Sequence, residues 1–570
     1  MAAGKNSAVV ASRERSLAGA PEHAVSSVVF STFEQALRVV GPFGLYQVAF
    51  AVVFQVYNVL LTGNYVLMSY STYLPRVACL NASGVVVGVL ERSGGRDRDA
   101  FCAAYAQGRC ERLHWTAPFK TINEEWSLIC DEADFIPQLV NSVQISGSFL
   151  GVFTTGYLSD RFGRRRTFNA CLWRVAAAVL LGALADSWQA FVASRFLVGA
   201  FCASSTVVVF VWGMELTDQR HSLLMNAASQ WHVGYIVTAL LGYATADWRR
   251  FLWCLFALLL PLGAAFHAFA ESPRWLLQRR GADKAAELLS KFGSVNRRHR
   301  VVVTKENLRG IHVEQKAAVG GIKVLFCNRR FLKYLFILSV MIYGTSSAAN
   351  AYIFEVSRLD GSPFVKFFLY GLLRLLIVPG VFFLDQRVSW WGRRHMCLVP
   401  MAVVCVCYAF ASAMALLKPL GRGEQSAHVF VAILVAAVTC NFLWLGIGQY
   451  EVELFPTGLR NTAANIVAVT DVVAGVLAPL WIYLEATFDG VPFLLATAST
   501  ALALLLACAF LPETKGKQIP DTVGDVMRLE DEAPADAFAP RPWRSAEEEE
   551  AAALLADHVG SAGEDDDELN

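Results

Sequence analysis

Three groups of residues in this sequence have the types and spacing to do chemistry. The first is the run Gly156-Tyr157-Leu158-Ser159-Asp160-Arg161-Phe162-Gly163-Arg164-Arg165-Arg166. Its glycines let a chain turn and helices approach, and its carboxylate and guanidiniums can pair with helix ends and acidic partners. The second is a pair of full charges inside long apolar runs, Arg374 and Asp471. The third is Cys79, Cys102, Cys110 and Cys130, gathered in one polar segment and suited to disulfides on an oxidising face, with three pairings open.

An ionisable group at membrane depth is costly and usually faces a bundle interior or a water-filled cavity. Arg374 lies about eleven residues into its apolar run, too deep to snorkel, so the alternative to a ligand role is an internal ion pair for which Asp471 is the available partner. Lys366 sits nearer the outer end and is expected to snorkel. The amides Gln55, Asn58, Gln144 and Gln230 and the aromatics Phe210 and Tyr352 complete the substrate-binding candidates. Amides at such positions serve equally well as hydrogen-bond glue between helices.

Catalysis finds no footing. His232, His267 and the other histidines show no metal-ligand spacing, and the sequence holds neither a phosphate-binding Gly-x-x-x-x-Gly-Lys-[Ser/Thr] loop nor a Gly-x-Ser-x-Gly elbow. No cofactor, no metal and no enzymatic activity are expected, and ATP-driven pumping is excluded. Lys and Arg number 49 against 48 Asp and Glu, so the net charge of +1 implies no nucleic-acid partner.

The elements that must position these residues follow from hydropathy. The chain has 570 residues, of which 55% are hydrophobic and 17% charged, with a mean hydropathy of +0.43; a bilayer must be part of its solvent. Twelve segments reach the roughly 20 apolar residues that a helix needs to span a bilayer. They run over 44–70, 137–157, 168–186, 191–213, 223–243 and 251–270, then 331–354, 363–384, 396–417, 427–450, 463–485 and 490–511.

The expected organisation is a cytosolic N-terminus over 1–43, a first half over 44–270 with a large extracellular loop at 71–136, a cytosolic inter-half loop over 271–330, a second half over 331–511, and an acidic cytosolic tail over 512–570 that reads as disordered. Arg161, Arg164, Arg165, Arg166, Arg220, Arg387, Arg393, Arg394 and Arg460 all fall on one side, which the positive-inside rule makes the cytosol. The loop with the four cysteines and the glycosylation sequon Asn81-Ala82-Ser83 then lies outside. The first forty residues hold no cleavable signal, so a multi-pass plasma-membrane protein with both termini in the cytosol is expected.

The halves echo one another. Gly163-Arg164-Arg165 is answered by Gly392-Arg393-Arg394, Glu215 and Arg220 by Glu453 and Arg460, and Glu271-Ser272-Pro273-Arg274 by Pro512-Glu513-Thr514-Lys515. An offset of roughly 230 to 240 residues at three landmarks is the internal repeat of a carrier built from two six-helix halves.

The 156–166 run resembles the signature loop of the major facilitator superfamily. Glu271-Ser272-Pro273-Arg274-Trp275-Leu276-Leu277 and Glu453-Leu454-Phe455-Pro456-Thr457-Gly458-Leu459-Arg460-Asn461 resemble solute carrier family 22, the organic cation and anion transporters. So do Phe33-Glu34-Gln35, the close of the outer loop at Glu125-Trp126-Ser127-Leu128-Ile129-Cys130-Asp131, and Leu511-Pro512-Glu513-Thr514-Lys515-Gly516. The resemblance covers about residues 33–520 and implies an all-α membrane protein of major facilitator fold, twelve transmembrane helices in two six-helix pseudo-repeats.

It further implies that Asp160, Arg161, Arg164, Arg165, Glu215, Arg220, Glu271, Arg274, Glu453, Arg460 and Glu513 form a cytosolic latch that engages when the carrier opens outward. The second-half loop departs from the family pattern, with Ser389 where relatives carry an acid. The family's charge-class markers also fall on Val472 and Val381, so cation, anion and zwitterion remain open.

The expected function is a uniporter or exchanger for small organic ions. The alternatives are a transporter-shaped receptor that moves nothing and a sugar-type facilitator. In the tail, Glu550-Ala551-Ala552-Ala553-Leu554-Leu555 resembles an acidic dileucine signal, which would make clathrin adaptors partners through Leu554 and Leu555.

Overall fold

The computed structural model describes residues 29–515 apart from 31–32, 42, 73–75, 82–84, 91–95, 218–224, 226–230, 297–301, 310, 312–324, 356–361, 389–390, 418–421, 456 and 485–489. In hydrocarbon a backbone must satisfy its own hydrogen bonds, and the apolar runs do so as helices.

The first half begins with α1 (Phe33–Val40) and α2 (Leu45–Ser71). An outer module follows, made of β1 (Arg76–Leu80), β2 (Val86–Leu90), α3 (Arg96–Ala106), β3 (Arg112–Thr116) and α4 (Ile122–Glu125). Then come α5 (Asp131–Phe162), α6 (Arg164–Ala183), α7 (Trp188–Glu215), α8 (His232–Thr245) and α9 (Trp248–Ala268). The inter-half segment is more than a loop, since it folds as α10 (Pro273–Arg280), α11 (Ala282–Val295) and α12 (Lys305–Leu308). The second half holds α13 (Arg329–Glu355), α14 (Pro363–Arg387), α15 (Arg393–Leu417), α16 (Arg422–Leu454), α17 (Thr457–Leu484) and α18 (Val491–Phe510).

Twelve of these helices, α2, α5 to α9 and α13 to α18, fall on the twelve expected spans, although 223–224 and 226–230 at the start of the fifth lie outside the described residues. By length and composition, 8 of the helices among the described residues are apolar enough to cross a membrane, namely α2, α7, α9, α13, α15, α16, α17 and α18. Several outrun their expected bounds. α5 begins at Asp131 and ends at Phe162, because its charged ends lie where water can solvate them and helical hydrogen bonding still holds. Starts are set by local chemistry: Ser187 accepts from Ala190 N at the head of α7, and Asp247 accepts from Arg249 N and Arg250 N at the head of α9.

The two halves pack chiefly through α5 against α17 and α8 against α14, the pairing expected of a two-fold pseudo-repeat. Outward-facing residues such as Tyr243, Val406, Leu417 and Leu505 are apolar and exposed, as a lipid-facing surface requires.

The outer module is a three-stranded antiparallel sheet of order β2-β1-β3 with α3 packed on it. Its core is small: Val77, Cys79, Leu90, Phe101 and Ile129. Two disulfides support it and settle the open pairing as Cys79–Cys110 and Cys102–Cys130. Cys130 immediately precedes α5, so the second bridge fastens the module to the bundle.

Candidate functional site

Arg374 lies three turns into α14 and is only 4% exposed. A guanidinium in that position needs partners for a planar fork of donors. Its Nη1 donates to the Tyr370 hydroxyl at 2.8 Å, one turn earlier on the same helix, and its Nη2 donates to Asn441 Oδ1 on α16 at 2.6 Å. The rings of Tyr235, Tyr370 and Trp444 stand 5.5, 5.2 and 5.3 Å from its central carbon, a three-sided cation–π cage. Its Nε is buried without a hydrogen-bond partner, as is Asn441 Nδ2. The positive charge is therefore solvated by neutral groups.

Asp471 stands midway along α17 and accepts a hydrogen bond from Ser346 Oγ on α13, while Asn350 Nδ2 donates to Ser346 O at 2.8 Å. The internal Arg374–Asp471 ion pair does not form; each charge has been taken up by different, uncharged neighbours. Asp471 does lie within electrostatic reach of Tyr65 on α2 and of Glu451 on α16. Tyr65 shares a hydrogen bond with Ser148 on α5 at 3.2 Å, and its ring stands 5.5 Å from Trp231, next to α8 and four residues before Tyr235. A belt of polar aromatics thus runs around the bundle interior from the acid to the cation.

Of the sequence candidates, Tyr352 joins this site from α13. Its ring lies 4.6 Å from that of Tyr370 and its hydroxyl donates to Lys366 O at 3.2 Å. Gln144 serves as glue, with Nε2 donating to Asn64 O at 3.3 Å. The Asn58 carbonyl accepts from Thr62 Oγ1 within α2, and Gln55 is half-buried two turns below Thr62. Phe210, in the last two turns of α7, is 37% exposed. Lys366 does not snorkel: it is 6% exposed, with Nζ 5.6 Å from the centre of the Phe430 ring. Gln230 lies outside the described residues.

Sequence reasoning passed over Tyr65, Trp231, Tyr235, Tyr370, Trp444 and Glu451. Aromatics are common in any membrane helix, so only their convergence marks them. Glu451 was visible as a second carboxylate two residues before Glu453.

At the end of the bundle opposite the disulfide-bonded module, the expected latch residues form two separate clusters. In the first half, Arg164 pairs with Asp160 and with Glu215, where Nη2 to Oε1 is 2.9 Å. The Glu271 carboxylate caps α6, accepting from Arg164 N at 2.7 Å and Arg165 N at 3.0 Å, and Arg165 Nη2 donates to His267 O at 2.6 Å. In the second half, Arg393 pairs with Glu453 at 3.1 Å, Glu513 caps α15 through Arg393 N at 2.8 Å and Arg394 N at 3.1 Å, and Arg394 Nη2 donates to Cys508 O at 2.7 Å. Apart from the Arg164–Asp160 pair, each of these contacts has its counterpart in the other half. A Cβ at Gly163 or Gly392 would run into the capping carboxylate, which could stay in place only while the position is glycine.

Thr514 Oγ1 donates to Glu453, so the first residues of the tail belong to this cluster. Arg161 instead reaches the Tyr157 hydroxyl at 3.1 Å, and Arg274 lies over the Phe33 ring. Arg220 and the Arg460 side chain lie outside the described residues.

Contacts between the halves lie from mid-depth to the outer end. Ser69 Oγ donates to Ile353 O at 2.9 Å, Ser142 Oγ donates to Val476 O at 3.2 Å, and Tyr70 packs on Phe364 and Phe367. At the opposite end, α5 leaves Phe153 and Tyr157 exposed.

Two related six-helix halves, joined at the outer end around an interior of buried charges and aromatics, define a carrier of the major facilitator class. The chain belongs to the Sugar (and other) transporter family, whose model matches residues 117–522. Its relatives include solute carrier family 22 member 7 of Rattus norvegicus, 28% identical over 72% of this chain and 75% of that protein. Another is an organic cation transporter-like protein of Drosophila melanogaster, 26% identical over 79% of each. Among solved structures, the inward-open xylose transporter XylE from E. coli matches the fold with a TM-score of 0.57 at 15% identity, covering 85% of this chain and 100% of that one. The family is one of membrane transport proteins, not of enzymes.

Proposed function

We propose that this protein carries small organic ions, zwitterions above all, across the plasma membrane by alternating access, as a uniporter or exchanger. The observation that carries this reading is that Arg374 and Asp471 are both held inside the bundle by neutral partners rather than by each other. A buried charge that is solvated but not neutralised is costly to maintain and is ready to receive a counter-charge from a ligand. An anionic group would meet Arg374 and a cationic group Asp471, with Tyr65, Trp231, Tyr235 and Tyr370 as the apolar walls between them. The Drosophila relative is named as organic cation transporter-like, which supports a charged organic substrate.

In this reading the cage is reached from the cytosol in the state described, because the halves meet at the outer end. Closing the cytosolic end would bring the Arg164 and Arg393 clusters together as the latch. The positive-inside rule puts that end and both termini in the cytosol, and the outer module with Asn81, a glycosylation acceptor, outside. Clathrin adaptors reading Leu554 and Leu555, which lie outside the described residues, would set surface abundance.

Uptake of radiolabelled cations, anions and zwitterions by expressing cells tests the proposal. Saturable uptake above mock-expressing cells supports it. No flux for any compound refutes it, and a saturable ligand internalised whole would mark a receptor instead.

A further inference from the structure

A cavity of about 570 Å³ lies at the cytosolic end of the first half, between α6, α9 and the helices α10 and α11. It takes no part in the central site. Four basic side chains line it: Arg165 and Arg166 from the head of α6, Arg280 from the end of α10, and Lys284 from α11. No carboxylate among the described residues pairs with Arg166, Arg280 or Lys284, all three of which are exposed. The one acid in the lining, Glu271, accepts through Oε1 from the backbone N–H groups of Arg164, Arg165 and Ser272, against four basic side chains. Local charge is therefore strongly positive.

The wall carries a second, independent signal. Asn169 is 7% exposed, lines the cavity, and has its Oδ1 buried without a hydrogen-bond partner. A buried amide oxygen left unmatched costs about 1–3 kcal/mol unless a donor reaches it. None of the four basic side chains donates to it, and a hydroxyl on an anion that neutralises the bases would supply the missing donor. Above Asn169, Trp173 is 40% exposed and packs against Gly263 and His267 in the cleft between α6 and α9. An indole at a helix exterior just above basic residues marks the headgroup level of a bilayer.

The second half provides an internal comparison. Aligning Arg164 with Arg393 places Leu398 where the first half has Asn169, and Ala402 where it has Trp173. The structural counterpart of His267, by its bond to the following arginine, is Cys508. The capping chemistry is common to both halves, whereas the amide, indole and imidazole are confined to the first.

We propose that this cavity binds a phosphorylated polyol, its phosphates on Arg166, Arg280 and Lys284 and a hydroxyl donating to Asn169. A phosphoinositide headgroup and a soluble inositol phosphate share this chemistry. The test uses the full-length protein in phosphatidylcholine nanodiscs. One arm measures binding of fluorescent phosphatidylinositol 4,5-bisphosphate and the other measures binding of inositol 1,4,5-trisphosphate, with phosphatidylserine as a charge control.

The expected result is saturable binding of at least one phosphorylated polyol, tighter than phosphatidylserine by tenfold or more. The exposed triple variant Arg166→Gln/Arg280→Gln/Lys284→Gln should weaken it at least tenfold, and Asn169→Leu severalfold, with thermal unfolding unchanged in the triple variant. Tighter binding of the lipid assigns the source to the membrane, and tighter binding of the trisphosphate assigns it to the cytosol. No binding, equal binding of phosphatidylserine, or equal binding by the triple variant would overturn the proposal.

Discussion

Arg374 on α14 reaches across to Asn441 on α16, donating from Nη2 to Oδ1 at 2.6 Å, and so ties the guanidinium to a neutral amide where a carboxylate would have cancelled it. The contact fixes the plane of the fork and leaves the charge available. Arg374→Lys keeps the charge but loses the bidentate geometry and ring stacking, so uptake should fall at least tenfold. Asn441→Leu strands a buried donor and should lower stability by about 1–3 kcal/mol, read as a lower unfolding temperature of the purified protein.

The caps of α6 and α15 should respond alike to loss of the carboxylate's charge but not to an added methyl group. Gly163→Ala and Gly392→Ala each drive a methyl group into the capping carboxylate, Glu271 or Glu513. Both variants should lose thermal stability and transport rate, Gly163→Ala the more, because Gly163 also holds a φ of +100 that alanine adopts only under strain. Glu271→Gln and Glu513→Gln, which keep the acceptor and remove the charge, should cost about 1 kcal/mol each, since a carboxylate at a helix N-terminus is worth that much. Side-by-side melting and uptake of the four variants checks this.

Docking of the outer module should depend on pH. Burial alone would raise the Glu125 carboxyl, but Lys120 and Arg249 outweigh it and hold it below its ordinary value of 4.5. The stabilisation is fully present above 4.5 and lost as pH falls through the lowered folded value. Lys120 is raised above 10.5 by its hydrogen bond to Glu125, so its share is present below 10.5 and lost as pH rises through the folded value. Glu125→Gln should cost about half a kcal/mol at neutral pH, the ordinary worth of a partly solvated pair, and nothing in acid below both values. Thermal unfolding across pH measures the difference.

Removing Cys102–Cys130 should cost more than the ion pair. The bridge closes a loop with a sequence separation of 28, and one of its ends sits at the head of α5. A chain-entropy argument gives about 3.6 kcal/mol for such a loop. Cys102→Ser/Cys130→Ser should expose the module to proteolysis from outside while the bundle stays folded.

Much of this was legible in the sequence for physical reasons. Hydropathy located all twelve bundle helices because hydrocarbon tolerates so little else, and the mirrored Arg164 and Arg393 clusters announced the repeat because caps and ion pairs depend on short, local patterns. The fork from Arg374 to Asn441 was not legible. It joins helices 67 residues apart through side chains, and no periodicity encodes which of many amides will face one arginine. The disulfide pairing was hidden likewise, since only the β1–β3 register brings Cys79 near Cys110.

The central claim is that Arg374 and Asp471 read the two charges of one substrate. Counterflow of a radiolabelled zwitterion into proteoliposomes holding wild type, Arg374→Ala or Asp471→Asn tests it most directly, with a matched anion and a matched cation alongside. The account predicts zwitterion flux in wild type that falls at least tenfold in both variants, with Arg374→Ala losing the anion preferentially and Asp471→Asn the cation. Zwitterion flux unchanged in both variants would contradict it.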